Sequence, residues 1–151
     1  MSTHAADDLR QCLADLTAAV GAAFGLVVGV DADGTMLRPA AQAQWPIAHR
    51  GWLSSMRIRV GEGPSGQAVA SDAMVTVEDV ETDPAVADWR PVASELGFRA
   101  TVALPLRTAG EPIGAVAVYF REPTALTAAQ HRLLQAAADR LAGALARCRF
   151  G

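Results

Sequence analysis

The chain has 151 residues and a formal net charge of −3. This length suits one domain, residues 1–151, whose core needs no disulfide or metal staple. All 13 basic residues are Arg, spread without a basic stripe, which argues against a nucleic-acid partner. With no Lys in the chain, Schiff-base chemistry and a P-loop lysine are excluded. Hydrophobic residues make up 51% and aromatics only 5%, so the core must come mainly from Val, Leu and Ala. Cys12 and Cys148 do not make a secreted disulfide framework. No signal peptide opens the chain. The longest apolar stretch, Gly21 to Val30, is about ten residues, against roughly 20 for a membrane span. A cytoplasmic protein with no membrane partner is expected.

In chain order, Leu9, Leu13, Leu16, Val20 and Phe24 step by three or four and predict a helix over 5–24 that stops at Gly25. Leu26 to Val30 reads as a strand, Asp33-Gly34 as a hairpin turn, and Thr35 to Ala40 as the returning strand. Residues 42–55 carry Trp45, Pro46 and Trp52 and suit a short helix or an irregular loop. Arg57 to Val60 alternates charged and apolar side chains, as a half-wet strand does. A glycine-rich turn follows at 61–66, then a helix of two turns at most over Gln67 to Ser71. Met74 to Val80 is strand-like. The acidic stretch Glu78, Asp79, Glu81, Asp83 leads into a helix near 84–96, with Gly97 as its stop.

Arg99 to Leu106 and Ile113 to Phe120 are the clearest strands, joined by a hairpin at Ala109-Gly110-Glu111. Thr127 with Gln130 forms a capping box for a last helix over 128–147. Leu133, Leu134, Ala137, Leu141 and Leu145 make its apolar stripe. Hairpins dominate, so an α+β fold with a mostly antiparallel sheet of five or six strands is expected. The two long helices would cover one face, and short helices and loops would close the other over a small-molecule pocket.

Residues 61–66 match G-x-G-x-x-G, but the crossover helix of a dinucleotide fold is missing, so a tight turn is the better reading. Ser65 is not in a G-x-S-x-G elbow, and His4, His49 and His131 form no recognisable triad. No C-x-x-C or H-x-x-x-H pair suggests a metal site, and the acidic stretch reads as a solvated helix entrance. Catalytic and metal-ligating residues are therefore not expected. Trp45, Trp52 and Trp89 all fall in segments expected to cover the open sheet face, as ligand-stacking rings or as lid core.

Four segments together resemble the GAF domain family: 60–68 (VGEGPSGQA), 77–84 (VEDVETDP), 96–106 (LGFRATVALPL) and 113–120 (IGAVAVYF), the last followed by Arg121-Glu122-Pro123 and the capped helix. The resemblance spans nearly the whole chain. It implies a GAF/PAS-like three-layer arrangement and a sensory role: a small-molecule-binding domain of a bacterial signal-transduction protein. Implied partners are a small-molecule ligand and an output domain such as a kinase, cyclase or phosphatase; a homodimer through the terminal helices is expected from the small face of the last helix. Trp45, Trp52, Asp79, Trp89 and Thr101 are the candidate ligand-binding residues.

The cofactor stays unknown. Cyclic-nucleotide-binding members carry an Asn-Lys…Phe…Asp-Glu signature, and this chain has neither Asn nor Lys. Bilin-binding members attach through a pocket Cys, absent from residues 40–120; haem-binding members offer a His absent from 84–105, leaving His49 remote. Methionine sulfoxide reductases of this family use pocket cysteines, also missing. The expectation is that the chain is no enzyme. A ligand-free dimerisation module, using the small face of Ala128, Ala129, Ala136 and Ala146, is the alternative, and a GAF-type reductase the third reading.

Overall fold

A computed structural model describes residues 3–150, with side chains over 4–148; residues 1, 2 and 151 of the expected domain lie outside it. Helix α1 (Thr3–Ala19) is followed by strands β1 (Phe24–Val30) and β2 (Met36–Ala43). A 3-10 turn at Ile47–Trp52, strand β3 (Ile58–Arg59) and helix α2 (Gly63–Ser71) come next. Strand β4 (Val75–Val77), a 3-10 turn at Pro84–Trp89 and helix α3 (Arg90–Leu96) lead to the long hairpin of β5 (Ala100–Thr108) and β6 (Glu111–Phe120). Helix α4 (Ala128–Phe150) closes the described chain. The sheet has six strands, all antiparallel, in the order β3-β2-β1-β6-β5-β4.

The two sheet faces carry separate cores. On one, Val27, Val102, Leu104, Val116 and Val118 pack against Leu9, Leu13 and Leu16 of α1 and Leu134, Leu141 and Leu145 of α4. The terminal helices therefore share a face, as expected. Helix α1 lies close on the sheet because a glycine sits beneath it: a Cβ on Gly25 would sit 2.5 Å from Thr17 Oγ1. On the opposite face Ala103 and Ala117, opposed across β5 and β6, pack with Ala68 of α2. These small side chains let a two-and-a-half-turn helix lie directly on the sheet centre.

Helix α1 ends earlier than its apolar stripe suggests. Gly21 (φ +75°) takes the left-handed position, with Ala22 N–H donating to Thr17 O (3.0 Å) and Gly21 N–H to Ala18 O (3.1 Å). This is a Schellman termination, so Gly21 rather than Gly25 is the stop. Phe24 continues the spacing by coincidence and instead opens β1 on the other sheet face. Pro39 is tolerated inside β2 because the strand bulges beside it: Val27 pairs with Ala41 and Val28 with Pro39, which leaves Ala40 as the extra residue. The expected helix at 84–96 is two pieces. Val86 is non-helical, and Pro91 starts a fresh helical turn after Trp89. Gly97 (φ +85°) ends it as expected. The glycine-rich turn is shorter than read, because α2 already starts at Gly63 with Pro64 in its first turn.

The capping box of α4 forms: Gln130 N–H donates to Thr127 Oγ1 (3.1 Å) and Thr127 N–H to Gln130 Oε1 (2.8 Å). Gln130 Nε2 also reaches Val20 O (2.8 Å), tying the start of α4 to the end of α1. Thr127→Ala should cost about 1 kcal/mol of stability, read as a melting temperature lower by roughly 2–4 °C. Leu133, counted in the apolar stripe, is 42% exposed, because the core edge passes on to Leu134.

Candidate functional site

Between the sheet and the segments that cover it lies a cavity of about 50 Å³. Its floor is a row of side chains opposed across neighbouring strands, Tyr119 of β6 with Thr101 of β5 and Thr101 with Val77 of β4, and Phe24 of β1, paired with Tyr119, continues the row behind the lining. Phe24 and Tyr119 stack at 4.8 Å, and Trp45 meets both rings edge-on at 5.2 and 5.7 Å. Phe98 packs against Tyr119 at 4.8 Å. These aromatic contacts stiffen one wall. Met56, Val86, Trp89 and Val92 form the roof, and Gly63, Pro64 and Ser65 of α2 close one end.

The sequence builds this roof locally. Trp45 N–H donates to Gln42 Oε1 (2.9 Å), and Trp45 O accepts from Arg50 Nε (3.0 Å), which fixes the buried indole. On the other side Asp79 accepts a bidentate pair from Arg99, at 3.0–3.1 Å, and also takes Glu81 N–H (3.0 Å). Asp83 caps the following turn through Ala85 N–H (2.9 Å), and Arg90 Nε donates to Val80 O (3.0 Å). The acidic residues thus hold the loop in shape. His49, beside Trp52, lies 3.6 Å from Glu95 of α3, linking the two covering segments.

Of the five candidates, Trp45, Trp89 and Thr101 line the cavity. Trp52 does not; it is 41% exposed on the outer side of its turn, against His49. Asp79 also lies outside, at a shallow external groove with Thr124, its carboxylate taken by Arg99. Thr101 Oγ1 donates to Val118 O (3.0 Å), so its hydroxyl is largely engaged. Tyr119, Phe98 and Met56 were not singled out by sequence, and Ser65 was weighed only as a nucleophile. The strand register was the usable signal, since it puts Tyr119 opposite Thr101.

The polar atoms available are few. Trp45 Nε1–H is buried and has no acceptor. Among the described residues the Tyr119 and Ser65 hydroxyls also have no hydrogen-bond partner. Burial pushes the Tyr119 phenol well above its ordinary range, so it stays a neutral donor. Tyr119 is the only tyrosine. Tyrosinate absorbance should therefore appear, on raising the pH, only together with unfolding. The folded state holds this proton more tightly, so the contribution of Tyr119 to stability is level below about pH 10 and falls above it. A separate phenolate titration in the folded protein would contradict this placement.

Cys12 and Cys148 lie on the far side of the sheet, packed against the core under the terminal helices. Burial pushes the Cys12 thiol up; Arg140 opposes this, and Asp15 and Asp8 add to it. Among the described residues no cluster of His, Cys, Asp or Glu could hold a metal ion, and no helix is long and apolar enough to cross a membrane.

No curated protein matches the chain in sequence. Solved structures do. The GAF domain/HD domain protein from Geobacter sulfurreducens superposes with a TM-score of 0.81 at 14% identity, over 99% of this chain and 96% of that one. A free methionine-R-sulfoxide reductase from Neisseria meningitidis gives 0.76 at 24% identity, over 96% and 80%. A domain described as that of a two-component sensor histidine kinase protein from Sinorhizobium meliloti gives 0.70 at 16% identity, over 95% and 92%. At these identities the likeness shows the fold. It corrects one expectation: because the same fold houses a sulfoxide reductase, the reading that the chain is no enzyme does not stand. The GAF domain family profile matches residues 4–146, nearly the whole chain, and the chain belongs to the GAF domain family.

Proposed function

We propose that this chain is the sensory domain of a bacterial signal-transduction protein, and that it binds a small molecule in the cavity over β1, β6, β5 and β4. The observation that carries the reading is the cavity itself, an apolar space enclosed between a rigid aromatic floor and covering segments held mainly by loop hydrogen bonds. Occupancy would repack the segments at 42–55 and 78–97. That shift passes through the sheet to α1 and α4, whose cores share β1, β5 and β6. The equilibrium moves only by the ligand's differential affinity for the two arrangements. Similar domains in a sensor kinase protein and in an HD-domain protein support an output domain as partner. Exposed Leu133 beside exposed Ala129 and Ala136 supports a homodimer through α4.

Native mass spectrometry and thermal-shift measurements against a metabolite collection test the reading. A compound that raises the melting temperature, with hydrogen exchange slowed at the roof and altered in α4, is the expected result. The reading fails if no compound shifts melting, or if binding leaves α4 unchanged.

A further inference from the structure

The chemistry of the cavity lining restricts what can occupy it, granted the reading of the cavity as a ligand site. Its walls are Val, Leu, Ile, Met and aromatic side chains, and its reachable polar groups are the neutral Tyr119 and Ser65 hydroxyls. Trp45 adds a third neutral donor, buried in the wall. The one ionisable side chain in the lining besides Tyr119 is Glu62, which stands exposed at the rim, 3.8 Å from Arg59. No guanidinium, imidazole or inward carboxylate faces the space. A charged ligand would lose its hydration there without a counter-charge. The first turn of α2 reaches the cavity end and would favour an anion, but Pro64 lacks an N–H and Glu62 at the N-cap adds negative charge.

Size is limited in the same way. A cavity of about 150 Å³ holds benzene, and this one encloses about 50 Å³. Two half-buried side chains can give way. Met56 is unbranched and flexible. Trp89 closes the roof where the Pro84–Trp89 turn meets α3, three residues after the non-helical Val86, with its ring against the bare Cα of Gly63. We propose that the ligand is an uncharged, mainly apolar molecule no larger than a single ring, carrying one hydrogen-bond acceptor directed at Tyr119 and Ser65. Trp89 swings aside to admit it and closes over it.

Four probes of matched shape test this on the whole chain by tryptophan fluorescence and calorimetry: cyclohexanone, methylcyclohexane, cyclohexanecarboxylate and cyclohexylammonium. Cyclohexanone should bind best. Methylcyclohexane should be weaker by roughly three- to tenfold, the worth of one neutral hydrogen bond. Both ions should be weaker by on the order of a hundredfold or more. Tyr119→Phe should remove the advantage of cyclohexanone over methylcyclohexane while leaving methylcyclohexane binding unchanged. An ion binding as tightly as cyclohexanone overturns the inference, as does an unchanged preference in both Tyr119→Phe and Ser65→Ala. If none of the four binds, the inference also falls. The sensory reading then survives only if a charged metabolite is found in the same cavity, and falls with it if the cavity takes nothing.

Discussion

Replacing Phe24 with alanine is expected to cost about 3–5 kcal/mol, a large share of the stability of a domain this size. Phe24 is fully buried, stacks on Tyr119 at 4.8 Å and meets Trp45 and Phe98 edge-on at 5.2 and 6.1 Å. Removing it takes away the shared partner of three rings. The neighbours cannot collapse into the space, because Tyr119 is anchored in β6 and the Trp45 backbone is held by Gln42 and Arg50. Urea denaturation should show a lower midpoint with an unchanged slope. Leu141→Ala, equally buried but under α4, is the comparison. It should cost about 2–5 kcal/mol without altering tryptophan emission. If Phe24→Ala costs under about 1 kcal/mol, far below the range for buried aromatics, the aromatic floor is not a rigid element.

The second large effect concerns the roof. A Cβ on Gly63 would lie 2.5 Å from Trp89 Cζ2 and 2.8 Å from Cε2, on a backbone whose φ of +66° already disfavours any side chain. Gly63→Ala should therefore displace the indole and cost about 1–3 kcal/mol from strain and overpacking. The displaced ring enters water, so tryptophan emission should move to longer wavelength and the cavity should open. Gly34→Ala separates the two causes. Gly34 has φ +75° and no atom within 4 Å of its Cβ position, so it should show strain alone and unchanged emission. Equal emission in both variants would mean that Trp89 does not rest on Gly63.

These side chains mark where sequence reasoning reached and where it stopped. The hairpin of β5 and β6, the capping box of α4 and the stop at Gly97 are local signals, decided within a few residues, and the structure has all three. The two-faced sheet with both long helices on one side follows from their apolar stripes. Phe24 shows the limit. Its spacing continues the helical stripe, yet the chain has already reversed at Gly21, so a core residue of one face reads as a core residue of the other. Periodicity reports burial, not the face on which burial occurs.

The candidate site divides on the same principle. Trp45, Trp89 and Thr101 meet at the cavity because the segments of the two tryptophans fold over the sheet face that carries Thr101. Asp79 faces Arg99 instead, twenty residues away, a pairing that no local pattern encodes. Trp52 points outward because its 3-10 turn buries none of its residues. Tyr119 sits in an alternating strand that looks like ordinary core. Only the register, which sets it between Phe24 and Thr101, reveals that its side chain faces the cavity side.

A ligand is expected to act in the cavity. Amide NMR spectra of the whole chain, recorded while uncharged ring compounds and charged metabolites are added in turn, examine this most directly. Shifts should begin at Ser65, Trp89, Thr101 and Tyr119 and then spread to α4. Shifts confined to the groove between α1 and α4, near Cys12 and Arg140, with the cavity residues unmoved, would contradict it.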